Sequence, residues 1–224
     1  MTIGPFNKAL GAQLQPTRRK IVLALKQQGG MTAAELAGQV GITSMGIRRH
    51  LTALERDGLV RYDLEQRGQG RPSYVYHLSD KAEGLFPKNY APLANELLGY
   101  LSHAGGETAV TQLFEQRAQR RIRNATARLA GLSLADRVAG LAEILSEDGY
   151  LAEWEQVDAD AFLLSEHNCA VHDVAAAFRA ACNSELTFLA AMLADAVVTR
   201  ERHMLAGELR CAYRIQRRVS SGGD

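Results

Sequence analysis

Thr32–Val60, TAAELAGQVGITSMGIRRHLTALERDGLV, sets two helix signatures on either side of one glycine. Thr32 stands three residues before Glu35, the spacing of a capping box, in which each residue satisfies the other's free backbone N–H. Leu36 and Val40 share a face at i, i+4, and Gly41 supplies a tight turn. Thr43 or Ser44 caps the second helix. Ile47, Leu51 and Leu54 form its buried stripe, and Gly58 stops it. Two short helices joined through a glycine turn are the helix-turn-helix pattern. With Ile47 and Leu51 turned inward, Ser44, Met45, Arg48, Arg49 and Thr52 face outward, where they can enter a DNA major groove. An arginine that meets guanine O6 and N7 bidentately discriminates by about 1–3 kcal/mol. His50 lies at the edge of this face, either against phosphate or packed.

The flanks extend the pattern. Upstream, PTRRKIVLALKQQGG reads as a helix with Pro16 at its start and Gly29-Gly30 at its end. Downstream, Leu59–Asp63 and Ser73–Leu78 have strand composition, and RGQGRP between them is turn chemistry. That predicts a β-hairpin wing with Arg67 and Arg71 flanking its tip, in reach of DNA backbone or minor groove. Helix, helix-turn-helix and wing in this order resemble the winged-helix regulators of the ArsR and DeoR type. Double-stranded operator DNA is the partner this resemblance implies.

The charge balance agrees. The 224 residues carry a net charge of only +1, with 46% hydrophobic and 23% charged residues, as in an ordinary globular protein. Between Pro16 and Asp80, however, ten basic residues face six acidic ones, and Gly41–Leu54 holds two arginines and a histidine without an acid. A local basic patch in a neutral chain suits a DNA-binding element. No apolar run approaches the ~18 residues of a membrane span. The N-terminal MTIGPFNKALGAQLQPTRRK has no apolar signal core. The expectation is a cytoplasmic protein with reduced thiols and no membrane partner.

In the middle, Leu93, Leu97 and Leu101 recur at i, i+4, i+8, and Gly105-Gly106 breaks that helix. A long helix is expected from Glu107 to Leu132, with Val110, Phe114, Ala118, Ile122, Ala125 and Leu129 as its apolar stripe. Arg117, Arg120, Arg121, Arg123 and Arg128 occupy the other face and read as a solvated helix surface. A further helix starts at a Ser133 cap and runs to about Glu147. The narrow stripe suits another helix, from this chain or a second copy, and a homodimer held mainly by this region is expected.

The C-terminal segment reads as strands YLAEWEQVD and AFLLSEHN, helices AVHDVAAAFRAAC and NSELTFLAAMLADA, and a hairpin from VVTRERHML to LRCAYRIQ. The order β-β-α-α-β-β describes a small α+β domain. The fold class is therefore mainly α with an α+β C-terminal part. Residues 1–84 form a winged helix-turn-helix, 85–147 central dimerisation helices, and 148–224 a C-terminal domain.

That domain holds all three cysteines. Cys169 falls where a strand gives way to a helix, whose N-terminus lowers a thiol pKa. Cys182 ends that helix, and Cys211 sits in mid-strand. A twelve-residue helix spans ~18 Å, so Cys169 and Cys182 meet only if the segment is shorter or folds back. The residues alone leave two readings open: incidental buried thiols, or a site. The two close C-x-x-C pairs of a zinc ribbon are absent. A nucleophile reading of Cys169 with His167 or His172 as base lacks an orienting third group, so an enzyme is not expected.

LFPKNY, EHNC, Cys182 in CNSEL and Cys211 in GELRCAY together resemble the SufR-type repressors of the SUF iron–sulfur assembly operon, over nearly the whole chain. The resemblance implies a dimeric repressor of cluster-assembly genes whose C-terminal sensor domain binds a [4Fe–4S] cluster through Cys169, Cys182 and Cys211. Cyanobacterial members carry a fourth cysteine that falls at Ala196 here, and alanine cannot ligate iron. A histidine, His203 before His172 or His167, is the preferred replacement. Glu166 is a further donor, an open iron is another outcome, and a [2Fe–2S] cluster with mixed Cys and His ligation is the alternative. Thiol oxidation or a small ligand acting on the same cysteines without a metal is the rival reading of the signal.

Overall fold

A computed structural model describes residues 14–66 and 71–218, which fall into two compact units, residues 1–88 and 89–224. In the first unit, α1 (Pro16–Gln28), α2 (Ala33–Val40) and α3 (Ser44–Arg56) pack on a three-stranded antiparallel sheet of β1 (Met31–Thr32), β2 (Val60–Glu65) and β3 (Ser73–Leu78) in the order β1-β3-β2. The short strand β1, not expected from the sequence, pairs Met31 with Tyr76 and Thr32 with Val75. Thr32 ends β1 and also caps α2. Its Oγ1 accepts from Glu35 N–H at 3.2 Å, and its own N–H donates to the Glu35 carboxylate at 2.6 Å, which closes the capping box. Gly41 follows with φ 79°, a left-handed position that an L side chain enters only with strain. Thr43, rather than Ser44, caps α3. Ile21, Leu25, Leu36, Ile47, Leu51, Leu54 and Val60 are 0–3% exposed and form one core. Each fully buried aliphatic side chain of this kind contributes about 1.5–3 kcal/mol.

The second unit contains α4 (Tyr90–Leu129), α5 (Leu134–Glu147), β4 (Ala152–Asp158), β5 (Ala161–Glu166), α6 (His172–Ala177), α7 (Ala180–Met192), β6 (Ala196–Arg202) and β7 (Cys211–Arg217). Its four strands form an antiparallel sheet in the order β4-β5-β7-β6. Helix α4 is interrupted at Gly106, whose φ 71° and ψ 179° lie outside helical space. On the two central strands, Phe162 faces Ile215, Leu164 faces Tyr213 and Glu166 faces Cys211. These alternate positions turn to one side of the sheet. Phe162, Leu164, Cys211, Tyr213 and Ile215 share a core with Ala125 and Leu129 of α4, Val138, Leu141 and Leu145 of α5, and Phe188 and Leu189 of α7.

Four expectations change. The boundary at 147–148 does not separate two bodies, because this one core spans it. The α4 stripe Val110, Phe114, Ala118, Ala125 and Leu129 is buried within its own chain, so it is not free to hold a second copy. The expected single helix from Ala170 to Cys182 is two helices, because Phe178 takes an extended conformation (φ −129°, ψ 95°). Cys182 therefore sits in the first turn of α7, and Cys211 opens β7 instead of lying at its middle.

Candidate functional site

In the first unit, Ser44, Met45, Arg48, Arg49 and Thr52 are all exposed on α3, Met45 most of all at 76%. Thr52 Oγ1 donates to the Arg48 carbonyl at 3.0 Å, which leaves its lone pairs toward solvent. His50 is half-buried in a shallow concavity with Gln15, Arg18, Arg49 and Arg56. Burial, then the Arg49 and Arg18 charges, lower its pKa below the ordinary histidine value. On the wing, Tyr62 packs edge-on against Tyr74, with ring centroids 5.0 Å apart, and tilted against Tyr76 at 5.8 Å. Arg71 is exposed, and Arg67 lies outside the described residues.

The second unit brings all three cysteines to one cavity. Its lining includes Cys169, Cys182, Cys211, Glu166, His203, Arg200, Tyr150 and Tyr213, and the free cavity between them is about 20 Å³, partly open to solvent, so any larger occupant has to part these segments. Each thiol comes from a different segment. The loop that carries Cys169 is tied to the end of α5: Asn168 N–H donates to Tyr150 O at 3.0 Å, and the Asn168 amide donates to Gly149 O at 2.6 Å. Helix α6, six residues and therefore about 9 Å long, turns back at Phe178 and places Cys182 at the start of α7. Cys211 opens β7. The turn between β6 and β7 serves two of the three sulfurs: His203 Nε2 lies 3.4 Å from Cys182 Sγ, and Met204 N–H donates to Cys211 Sγ at 3.5 Å.

Burial pushes all three thiols above the ordinary cysteine value, and the Val171 and Met204 backbone bonds to Cys169 and Cys211 offset this only in part. The helix N-terminus expected to activate Cys169 does not prevail over burial. A thiol held protonated is a poor nucleophile and oxidises slowly. Among the described residues, no three His, Cys, Asp or Glu donors converge on a single metal ion. An iron–sulfur cluster spreads its thiolates over several iron atoms and asks for no such convergence. Three soft sulfur donors on separate segments are the donor type that such a group takes.

Charged residues surround the site; of these the sequence reading named Glu166 as a donor and did not single out Glu185 or Arg200. Glu166 is 2% and Glu185 4% exposed. Arg121 Nη1 bonds both Glu185 oxygens at 3.0 and 2.9 Å, Nη2 bonds Asp148 at 2.9 Å, and the guanidinium lies 4.2 Å over the Phe188 ring. Arg121 thus leaves the expected solvated face, whereas Arg128 stays on it, exposed and paired with the exposed Glu147. Arg200 donates to the Cys182 carbonyl and stacks over Tyr213. Three buried polar atoms of cavity residues, Glu166 Oε1, Tyr150 Oη and Arg200 Nε, have no partner among the described residues.

The remaining donor candidates lie elsewhere. His167 pairs with Glu153 at 2.6 Å and His172 with Asp173 at 3.3 Å, and neither lines the cavity. Ala196 pairs with Arg217 at the far end of β7. Six residues of strand, about 20 Å, separate that rung from Cys211. The alanine is therefore a core position and not a gap in the site. A wider open groove along α4, lined by Gln112, Arg117, Arg120 and Arg123, gathers no sulfur and no buried donor.

Among known proteins, the family model of a helix-turn-helix domain matches residues 14–63. No curated protein matches the sequence. Among solved structures, the chain is similar to ZitR of Lactococcus lactis in complex with DNA, at 20% identity and a TM-score of 0.30 over 38% of this chain and 55% of that one. A MarR family transcriptional regulator from Silicibacter pomeroyi matches at 20% identity and 0.31, over 43% and 63%. PadR of Bacillus subtilis in complex with operator DNA matches at 12% identity and 0.29, over 79% and 96%. The chain thus spans 55% and 63% of the first two structures it matches. No helix among the described residues is long and apolar enough to cross a membrane. The chain carries a helix-turn-helix domain, residues 14–63, followed by a β-hairpin wing.

Proposed function

We propose that the protein is a DNA-binding transcriptional regulator, a repressor of iron–sulfur cluster assembly genes, whose operator affinity is set by a cluster held by Cys169, Cys182 and Cys211. The observation that carries this reading is the meeting of three thiols from three separate segments in one cavity, in a chain that also carries a helix-turn-helix. When bound, a [4Fe–4S] cluster, or a [2Fe–2S] cluster with mixed ligation, would supply a tie between these segments that iron supply and oxidation control. The chain's part is to release three thiol protons and draw the α6–α7 turn, the start of β7 and the loop after β5 together. On DNA, Arg48 and Arg49 read or clamp the major groove, with Ser44, Met45 and Thr52 beside them. His50 and Arg18 face phosphate, and Arg71, with Arg67, follows the wing to the backbone. A 100-fold change in operator affinity needs about 2.7 kcal/mol of coupling between the two sites, within the range of ordinary allostery.

A homodimer belongs to the same reading. Tyr90, Leu93, Leu97 and Tyr100 recur along one face of α4 and are 49–72% exposed, which supplies an apolar surface in place of the buried stripe.

Anaerobic reconstitution with iron and sulfide tests the proposal. About one cluster per subunit is expected, with broad visible absorption, and Cys169→Ser, Cys182→Ser and Cys211→Ser should each impair it. Full cluster content in all three variants would remove the site assignment. Arg48→Ala should weaken operator binding and relax base preference, whereas equal loss on random DNA would make Arg48 a phosphate contact.

A further inference from the structure

We propose that Glu166 is the fourth donor of the cysteine cavity, a carboxylate ligand to the iron that Cys169, Cys182 and Cys211 leave open, and that His203 is a positioning residue for Cys182. This rests on the cluster reading and deepens it.

Glu166 breaks the pattern of its strand. Phe162, Leu164 and Glu166 occupy the core-facing row of β5, and the first two are buried hydrophobics. A carboxylate therefore stands where the alternation calls for an apolar side chain. It is 2% exposed, and its Oε1 has no hydrogen-bond partner among the described residues. Such an atom costs stability unless something satisfies it. Register supplies the address. Glu166 is the cross-strand partner of Cys211, and directly opposed residues hold their Cβ atoms about 4.5–5.5 Å apart on one face of the sheet. Both line the cavity that also receives Cys169 and Cys182. An unpartnered carboxylate oxygen beside three thiols is a ready ligand for a cation that the thiolates do not saturate.

His203 is differently placed. It lies in the β6–β7 turn, partly exposed, with Nε2 3.4 Å from Cys182 Sγ. An imidazole nitrogen at hydrogen-bond distance from a ligand sulfur orients and tunes that sulfur.

The experiment is anaerobic reconstitution of the full chain with ⁵⁷Fe and sulfide, followed by Mössbauer spectra and timed iron loss to a chelator. Wild type, Glu166→Gln, Glu166→Ala and His203→Ala are compared, and the metal-free proteins are also melted. The expected result is one iron subsite in wild type distinct from the thiolate-bound ones, lost or altered in both Glu166 variants, with iron released at least roughly 10-fold faster. His203→Ala should keep the distinct subsite and shift the remaining signals. Metal-free Glu166→Gln should melt at or above wild type, which separates a lost ligand from a lost fold. Glu166 variants that load and hold iron with the wild-type spectrum overturn the assignment, and so does loss of the distinct subsite in His203→Ala alone. Wild type that takes up no cluster overturns the cluster reading itself, and this inference with it.

Discussion

Glu185→Ala tests the charge network behind the cysteine cavity. The Glu185 side chain is 6% exposed and the Arg121 side chain 11%, and both Glu185 oxygens lie within 3.0 Å of Arg121 Nη1. Removing one partner of a buried pair strands the other charge and costs about 3–5 kcal/mol. Asp148 keeps its 2.9 Å bond to Nη2, but it is 44% exposed and solvent screens it, so the lower end of that range, about 3 kcal/mol, is expected. At roughly 2–4 °C per kcal/mol for a chain of this size, the second unit should melt about 6–12 °C lower. Trp154, the chain's one tryptophan, lies in β4 with its ring 6.1 Å from Phe162, so its fluorescence follows this unit alone. Arg121→Leu with Glu185→Leu removes both charges and should recover most of the loss, because replacing a buried pair by apolar groups is often neutral. A Glu185→Ala midpoint within about 2 °C of wild type would refute the reasoning. So would a double variant as unstable as the single one, since the penalty would then not be a stranded charge.

Three further outcomes are expected. Because burial, Arg49 and Arg18 hold His50 low, and a DNA phosphate would raise it, binding takes up a proton between the free and bound values. Operator affinity should therefore rise as pH falls through the histidine range to below the ordinary value of 6.5, and His50→Ala should flatten that slope; an unchanged slope in the variant would place the proton elsewhere. Thr32→Ala opens the capping box and should destabilise the first unit by roughly 1 kcal/mol, seen by circular dichroism, while the Trp154 transition stays in place; a shifted Trp154 transition would contradict that separation. Ala196→Cys should leave the reconstituted spectrum at its wild-type form, because that position lies about 20 Å along the strand ladder from Cys211; a spectrum turned toward all-thiolate ligation would show that the register in solution differs.

The winged helix was legible because its signals are local. Thr32 to Glu35, Gly41, and Ile47 with Leu51 and Leu54 each specify structure within four residues, and the chain folds there as those spacings direct. Strand β1 was not legible: two residues carry no periodicity, and only pairing with Tyr76 and Val75 makes them a strand. The cysteine site falls between these cases. The three residue types were plain, but their meeting depends on Phe178 leaving helical space, and Ala and Val on either side of it read as uninterrupted helix. Arg121 was misread for a related reason. On a helical wheel it sits among exposed arginines, and only the packing of α7 brings Glu185 to it. Glu166 did carry a signal, the alternation Phe162-x-Leu164-x-Glu166. It becomes audible once the inward row of β5 is known.

That row also bears on how a ligand at the cysteines, as proposed, would gain leverage. A core that needed only stability would place leucine at 166 and leave Tyr150 Oη and Arg200 Nε no reason to be buried without partners. Each such atom costs on the order of 1–3 kcal/mol where nothing satisfies it. Sequences break local rules at functional positions and are compensated elsewhere. Here the compensation is the Phe162–Leu164–Phe188–Tyr213–Ile215 core, which holds the sheet in register while the cavity end stays under-satisfied. A ligand that completes the cavity then stabilises the second unit by its own binding energy, about 2.7 kcal/mol at 100 times its dissociation constant. The loaded protein should therefore show a higher Trp154 transition than the metal-free one. Equal transitions would mean that the site holds its occupant without working on the fold, and the coupling to DNA would have to be sought elsewhere.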